Sequence, residues 1–595
     1  MGKPTRYPTQ NVMKKMPHFP NITFFVLAAS SLAWGQSAGD LRGEGDLAPV
    51  AMESIDDFTW DARAVEHLLN RAGFGAHALD IRRGLRFGQE RLVSDLIQGE
   101  DYGRRFTIRI VEPNEAIIRD GDDDERRRER KRVRKLNRYQ SQEFLAWWVD
   151  RMLDGQSPLR ERMTLFWHGF FTSDSKKVRA AGLMINQNEL LRAHALGNFG
   201  ELLHSIVLDP AMLVYLDNTS NTKHSPNENL ARELMELFSL GEGNYTEDDI
   251  REVARALTGY GTNREREFYF NRRLHDSGVK TVLGVEGRHG AKDVVEIILA
   301  QPACARWVAG SIITYLEGQA PNEERLEEYA ELLRDESYEI APMLEKLLLD
   351  EEFYRAEIVG ARVSSPIDYL VGTCRRLDVN VGGEAVACAS GMLGMTLFEP
   401  PNVKGWNEGP EWITTATLMN RANLAGVLLG TIRLDEMTGS SLEDIELSEE
   451  ERASLEDPGP DFPSDEGMMG EDDEMMSPSG APVKREQAVR SVVARLARAL
   501  HSLGSDTYRP RLNLSARLSR SGSRDDKAIV DFMCTNLLAI EAPLETRRML
   551  VDALRTDRKD RGLMPRDLVE ETLAAENVLR RLAHLILSLP EAQLG

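Results

Sequence analysis

The chain has 595 residues, 42% of them hydrophobic and 29% charged, with 74 basic against 96 acidic side chains, a formal net charge of −22, and four cysteines. Enough apolar side chains are present for large cores, which excludes a small disulfide scaffold, a collagen-like fibre and a wholly disordered chain. The charge is unevenly spread: from Asp435 to Glu474 seventeen acidic residues face Arg452 alone, so −16 of the total sits in one segment and the remainder of the chain is nearly balanced.

Lys3, Arg6, Lys14 and Lys15 precede an apolar run from Ile22 to Leu32, and Ala33 and Gly35 put small side chains three residues and one residue ahead of Gln36. That order of charge, apolar run and small residues predicts a secretory signal over residues 1–35, because about 11 apolar residues cannot cross a bilayer that needs ~20. Export to the periplasm, cell surface or medium follows as an expectation, with a flexible segment over 36–59. No other run is long enough for a transmembrane helix. Cys304, Cys374, Cys388 and Cys534 form no C-x-x-C pair; as widely spaced residues they read as small buried side chains, with three disulfide pairings open to an exported chain.

From residue 60 the pattern is helical nearly throughout, and the predicted class is all-α with one minor β-hairpin. The charged run Arg119–Arg138 flows without Pro or Gly into EFLAWWVDRML, which predicts one long helix with a solvated first half rather than a nucleic-acid site, since no aromatic residues interleave its cations. PLRERMTLFWHGFF predicts an apolar helix ending near Gly169. In NENLARELMELFSLG, Asn227 stands at the cap position and Gly241 at the stop. In YTEDDIREVARALTGYG, Thr246 and Asp249 form a capping box. FYFN and KTVLG flank NRRLHDSG and are expected to pair. Residues 60–434 thus form a main helical domain, 435–485 an acidic linker without the large apolar residues that order a chain, and 486–595 a C-terminal helical segment expected to pack on the main domain.

No G-x-S-x-G, Walker loop, H-E-x-x-H or dinucleotide glycine pattern occurs, and the sequence specifies no cofactor or metal. Glu201 and His204 make one E-x-x-H, half of a di-iron motif whose second half is missing. The candidates for chemistry are Glu233 beside the apolar face of its helix, His168 at the end of FWHGFF, and His275 with Asp276 between the expected strands. Glu233 has the character of a base or ligand, His168 of an acid–base group or ligand, and Asp276 of the group that orients His275. Asn218, Asn227, Glu228 and Arg232, with Asn402, Lys404 and Trp406 of the stiff PPNVKGW turn, are the candidate binding residues. An enzyme would gather at least three of His168, Glu228, Glu233, His275 and Asp276 in one solvent-connected pocket.

Several of these segments carry a resemblance. HLLNRAGFG, RMTLFWHGFF, NQNELLRAHALGNFGELL, DPAMLVYLDN, the stretch from Pro226 to Tyr260, HDSGVKTVLG, DVVEIILAQPACARWVAG and PPNVKGW resemble, in order, the exported bacterial family catalogued as domain of unknown function (DUF) 1800, over most of residues 60–430. LAHLILSLPEAQLG is similar to the family's usual ending. Many relatives have a second histidine where this chain has Phe170. The resemblance implies export and a helical architecture without supplying a reaction. It also implies a partner, an exported sulfatase-like protein of the DUF 1501 type. The leading expectation is an accessory or interaction protein in secretion, surface assembly or polysaccharide use, and the alternative is a hydrolase-like enzyme.

Overall fold

The computed structural model describes residues 58–99, 106, 114–379, 381–433, 496, 510 and 512–595. The predicted signal, the acidic linker and the helix expected after it lie outside the described residues or nearly so. Within them are 23 α-helices and two short antiparallel strand pairs, so the all-α class holds.

The long charged helix is present as Asp123–Asp154, opened by a capping box between Asp122 and Glu125 and closed at Gly155 with φ +62°. Its second half buries Phe144, Trp148 and Val149, while most of the arginine-rich first half faces solvent. Beside it runs Pro158–Phe170, buried nearly all round although Glu161, Arg162, Thr164 and His168 are among its buried side chains. Its one early carboxylate, Glu161, is fully buried and accepts from Arg151 Nε at 2.6 Å, Arg192 Nε at 3.1 Å and Trp148 Nε1 at 2.9 Å. Three donors satisfy a charge that would otherwise cost several kcal/mol to bury, and they tie together three helices, Asp123–Asp154, Pro158–Phe170 and Ala181–Ala193.

The helices from Leu514 onward pack on those of residues 366–429. Tyr369 Oη donates to Leu587 O at 3.3 Å and Arg421 Nη1 donates to Gln593 Oε1 at 3.1 Å. Ser364 N donates to Gln593 O at 2.8 Å, and Val363 forms a β-bridge with Leu594. No disulfide joins any of the four cysteines, three of which are buried.

The β element differs from expectation. Phe268–Phe270 pairs with Tyr260–Thr262, and Lys280–Val282 pairs with Val285–Gly287, giving two local hairpins instead of one. Leu283 and Gly284 both have positive φ, +48° and +81°, the requirement of a two-residue turn whose twist suits a hairpin, so Lys280–Val282 folds back on the residues directly after it. The intervening NRRLHDSG loop is held to the end of the preceding helix, where Asn271 N donates to Gly259 O at 2.7 Å and Asp276 N to Thr258 Oγ1 at 2.8 Å.

Candidate functional site

His168 lies one turn from the end of its helix, which runs through Gly169 to Phe170. Its ring is buried among those of Trp148, Phe398 and Trp406, with centroids 5.8, 5.1 and 5.1 Å away, and neither ring nitrogen has a hydrogen-bond partner. Burial pushes its pKa down to about 3, so the imidazole is neutral throughout the physiological range. The PPNVKGW turn closes over it. Asn402 Oδ1 accepts from Lys404 N at 2.8 Å, Gly405 N donates to Asn402 O at 3.2 Å, and Gly405 has φ +91°. A Cβ on Gly405 would lie 2.7 Å from Gly169 O, so only glycine lets the turn rest on the end of the helix. Trp406 is half-buried above His168, and its Nε1 is also without a partner.

Glu233 stands half-buried on Asn229–Met235, a helix begun by Asn227, whose Oδ1 accepts from Asn229 N at 2.9 Å. Burial and then the neighbouring Glu236 raise the Glu233 pKa, while Arg232 and Lys404 pull it down. Lys404 therefore brings the turn within electrostatic reach of Glu233, and Tyr215, held above its usual pKa by burial, Asp174 and Glu233, borders the same area. Arg232 bonds Glu247 Oε2 at 2.9 Å and Glu228 Oε2 at 3.3 Å, which fixes both Arg232 and Glu228 as surface ion-pair members. Directly after Met235 the helix widens into a π-turn, Glu236–Leu240, stopped by Gly241 with φ +77°. Trp307 Nε1 donates to Leu237 O at 2.8 Å there. Such turns are frequent at functional sites.

The His275–Asp276 pair is built otherwise. His275 Nδ1 bonds Thr258 O at 2.9 Å and its ring packs between Tyr260 and Phe270. Asp276 does not orient it: Oδ2 accepts from Arg255 Nε at 2.8 Å, a bond that holds the carboxyl below its usual pKa, and Oδ1 accepts from Gly278 N at 2.8 Å. Asn218 is buried, donating to Tyr260 O at 2.8 Å and Leu257 O at 3.2 Å and accepting from Asn221 Nδ2 at 3.0 Å, so it braces the same loop. Glu201 and His204 form no pair; His204 Nε2 meets Glu296 Oε1 at 3.2 Å.

The structure thus sets Trp406 against His168 and leaves Lys404 within electrostatic range of Glu233. No hydrogen bond among the described residues links His168 or Glu233 to His275 or Asp276. A surface cavity of about 720 Å³ lies elsewhere, between Asp80, Arg83, Arg91, Asp95, Gln156 and Arg375, and none of the candidates lines it. Among the described residues no group of three or more His, Cys, Asp or Glu side chains is placed to hold a metal ion. One titratable group escaped the sequence reading. Asp209 is buried, caps Pro210–Tyr215 through Met212 N at 2.9 Å, accepts from Gln187 Nε2 at 2.8 Å, and is pushed by burial up to about 7. Its Asp-Pro helix start was the available signal.

Fold and site together define a large helical protein whose polar candidates are mostly engaged in holding loops to helices. The family model for the protein of unknown function (DUF1800) matches residues 67–594, and this chain belongs to that family. No curated protein matches it, and neither does any solved structure. No single helix among the described residues is long and apolar enough to cross a membrane; one bent pair, Ala291–Leu299 with Pro302–Glu317, passes by length and composition, but both of its helices contribute to the buried core.

Proposed function

We propose that this chain is an exported accessory protein that binds another exported protein, of the sulfatase-like DUF 1501 type, in secretion, surface assembly or polysaccharide use. The observation that supports this reading is the division of labour around the two hairpins. The polar candidates there, Asn218, His275 and Asp276, are spent on internal bonds. Phe268, Tyr269, Leu274, Val279 and Val285 are meanwhile held out to solvent, Tyr269 and Val279 at 52% and 51% exposure. Exposed apolar side chains grouped on short, locally closed hairpins are the kind of surface that protein partners cover. The reading takes residues 1–35 as a secretory signal that would carry the chain out of the cytoplasm. Binding is measured between the purified chain and a purified sulfatase-like protein of the DUF 1501 type. Changing Phe268, Tyr269 and Val279 together to Ser should abolish binding without changing the melting temperature. Undiminished binding would reject the hairpin surface.

The second reading, a hydrolase-like enzyme, is favoured by Glu233 alone: a half-buried carboxyl with a raised pKa, bordered by Lys404 and a π-turn. On that reading Glu233→Gln removes an activity while leaving partner binding intact.

A further inference from the structure

The arginine-rich half of Asp123–Asp154 has two faces. One is held to the body: Glu129 is buried, accepting from Asn114 N at 2.5 Å and from Arg132 Nε at 2.8 Å, and Asn137 Oδ1 accepts from Ala181 N at 3.0 Å. The other carries Arg127, Arg130, Lys131 and Arg134, spaced i, i+3, i+4 and i+7 and therefore on one stripe, with Arg128 at its edge. All five are exposed, and among the described residues none has an ion pair or a side-chain hydrogen bond. The acids near them are used or too few. Asp123 pairs with Arg126 at 3.0 Å, Glu129 pairs with Arg132 at 2.7 Å, and Glu125 accepts from Asp122 N at 3.0 Å in the cap. Asp124, one turn before Arg127 and Arg128, pairs with neither, and even counted in full it leaves the stripe positive. Like charges three and four residues apart repel along a helix face, so a counter-charge from outside the helix stabilises this one.

The same chain supplies one. Residues 435–474 carry seventeen acidic side chains against Arg452, and both ends of that stretch join the body near the long helix. It begins just after Arg433, beyond the Thr415–Leu429 helix. Past its other end Leu496 is buried in an apolar groove between Leu424, Val427 and Leu428 of that helix and Ala385, Val386 and Ala389 of Gly383–Met392. Gly383–Met392 in turn packs on the second half of the long helix, where Gly383 N donates to Asp150 Oδ1 at 2.6 Å. At 1.5 Å per residue the stripe lies about 25–35 Å along the helix from Asp150. The chain from Glu474 to Leu496, roughly 20 residues, can span about 70 Å when extended. The acidic stretch therefore reaches the stripe with both anchors in place, and its tether raises its local concentration above that of a partner in solution.

We propose that the stripe of Arg127, Arg130, Lys131 and Arg134 is the docking surface for the chain's own acidic stretch, Asp435 to Glu474, which clasps the long helix by charge. Ionic strength sets the strength of such a contact, because the screening length is about 30 Å at 0.01 M salt and about 3 Å at 1 M. An outside polyanion reaches the stripe only by displacing a segment already tethered to it.

The test is zero-length carbodiimide coupling in the full chain, which joins the Lys131 amine to a carboxylate in contact with it and is read by mass spectrometry of the digest. At about 0.01 M salt Lys131 should couple to acidic residues within 435–474, and the yield should fall about tenfold or more at about 1 M. Changing Arg127, Arg130 and Arg134 together to Glu keeps the amine and should lower the low-salt yield as far, with the circular dichroism of the chain unchanged. No coupling of Lys131 to that stretch, or a yield in the native chain that is indifferent to salt, would overturn the proposal, as would an undiminished yield in the triple variant. Coupled peptides that mix labels when isotope-labelled and unlabelled chains are combined would also overturn it, since the acidic stretch would then come from a second copy. Absence of coupling together with retention of the native chain on heparin would assign the stripe to an outside polyanion instead.

Discussion

Replacing Asp209 by Asn isolates the cost of ionising one buried carboxyl. In the folded chain that group titrates near 7, against 3.8 for an unperturbed aspartate, because burial outweighs the hydrogen bonds from Met212 N and Gln187 Nε2. A folded-state pKa above the unfolded one means that the folded state binds more protons between roughly pH 4 and 7, so stability falls as pH rises through that window. At 1.36 kcal/mol per unit the full effect is about 4 kcal/mol, of which roughly 2–3 kcal/mol is lost between pH 5 and pH 8. Both hydrogen bonds end on Oδ2, so an Asn side-chain oxygen can accept them and the cap survives. Asp209→Asn should therefore be close to the native chain at pH 5 and melt higher by several degrees at pH 8, with calorimetry across pH 5–8 as the assay. Equal melting temperatures at both pH values, or a variant that is less stable at pH 8, would refute the reasoning.

Three more substitutions probe the site and its frame. Gly405→Ala forces a Cβ to 2.7 Å from Gly169 O at φ +91° and should destabilise the chain by about 1–3 kcal/mol, with increased solvent quenching of tryptophan fluorescence as Trp406 lifts. His168→Phe removes two buried nitrogens that have no partner and should be neutral or stabilising at pH 7; the native His168, whose folded pKa lies below its unfolded value, contributes stability that is lost as pH falls below about 6.5, so the variant should tolerate acid better in the same melting assay. Arg162→Met takes from Asp368 Oδ1 its donor at 2.6 Å, leaving Arg362 and Ser365 on Oδ2, and leaves the Gly73 carbonyl without its donor; a loss of about 2–4 kcal/mol is expected, read as a drop in melting temperature.

The helices were legible because each carries its own period and punctuation. The Thr246–Asp249 capping box and the solvated first half of the long helix are local features, and local features survive folding. The hairpins were misread because pairing choice rested on a turn, Leu283–Gly284, whose positive φ at a leucine is imposed by context rather than announced by composition. The site divides along the same line. That PPNVKGW is a stiff turn follows from its prolines and glycine, but that Trp406 lands on His168 and Lys404 near Glu233 depends on contacts more than 160 residues apart in sequence. The pairing of Asp276 with Arg255 instead of His275 was equally out of reach, since adjacent residues suggest a pair and only the folded loop shows that Arg255 arrives first.

The account turns on whether the hairpin surface, and not Glu233, carries the function. The most direct measurement is the affinity of the purified chain for the proposed partner, a sulfatase-like protein of the DUF 1501 type, taken for the native protein, for the Phe268, Tyr269 and Val279 triple serine variant, and for Glu233→Gln. The account predicts that binding vanishes in the triple variant and is unchanged in Glu233→Gln; unchanged binding in the triple variant, or loss of it in Glu233→Gln, would contradict it.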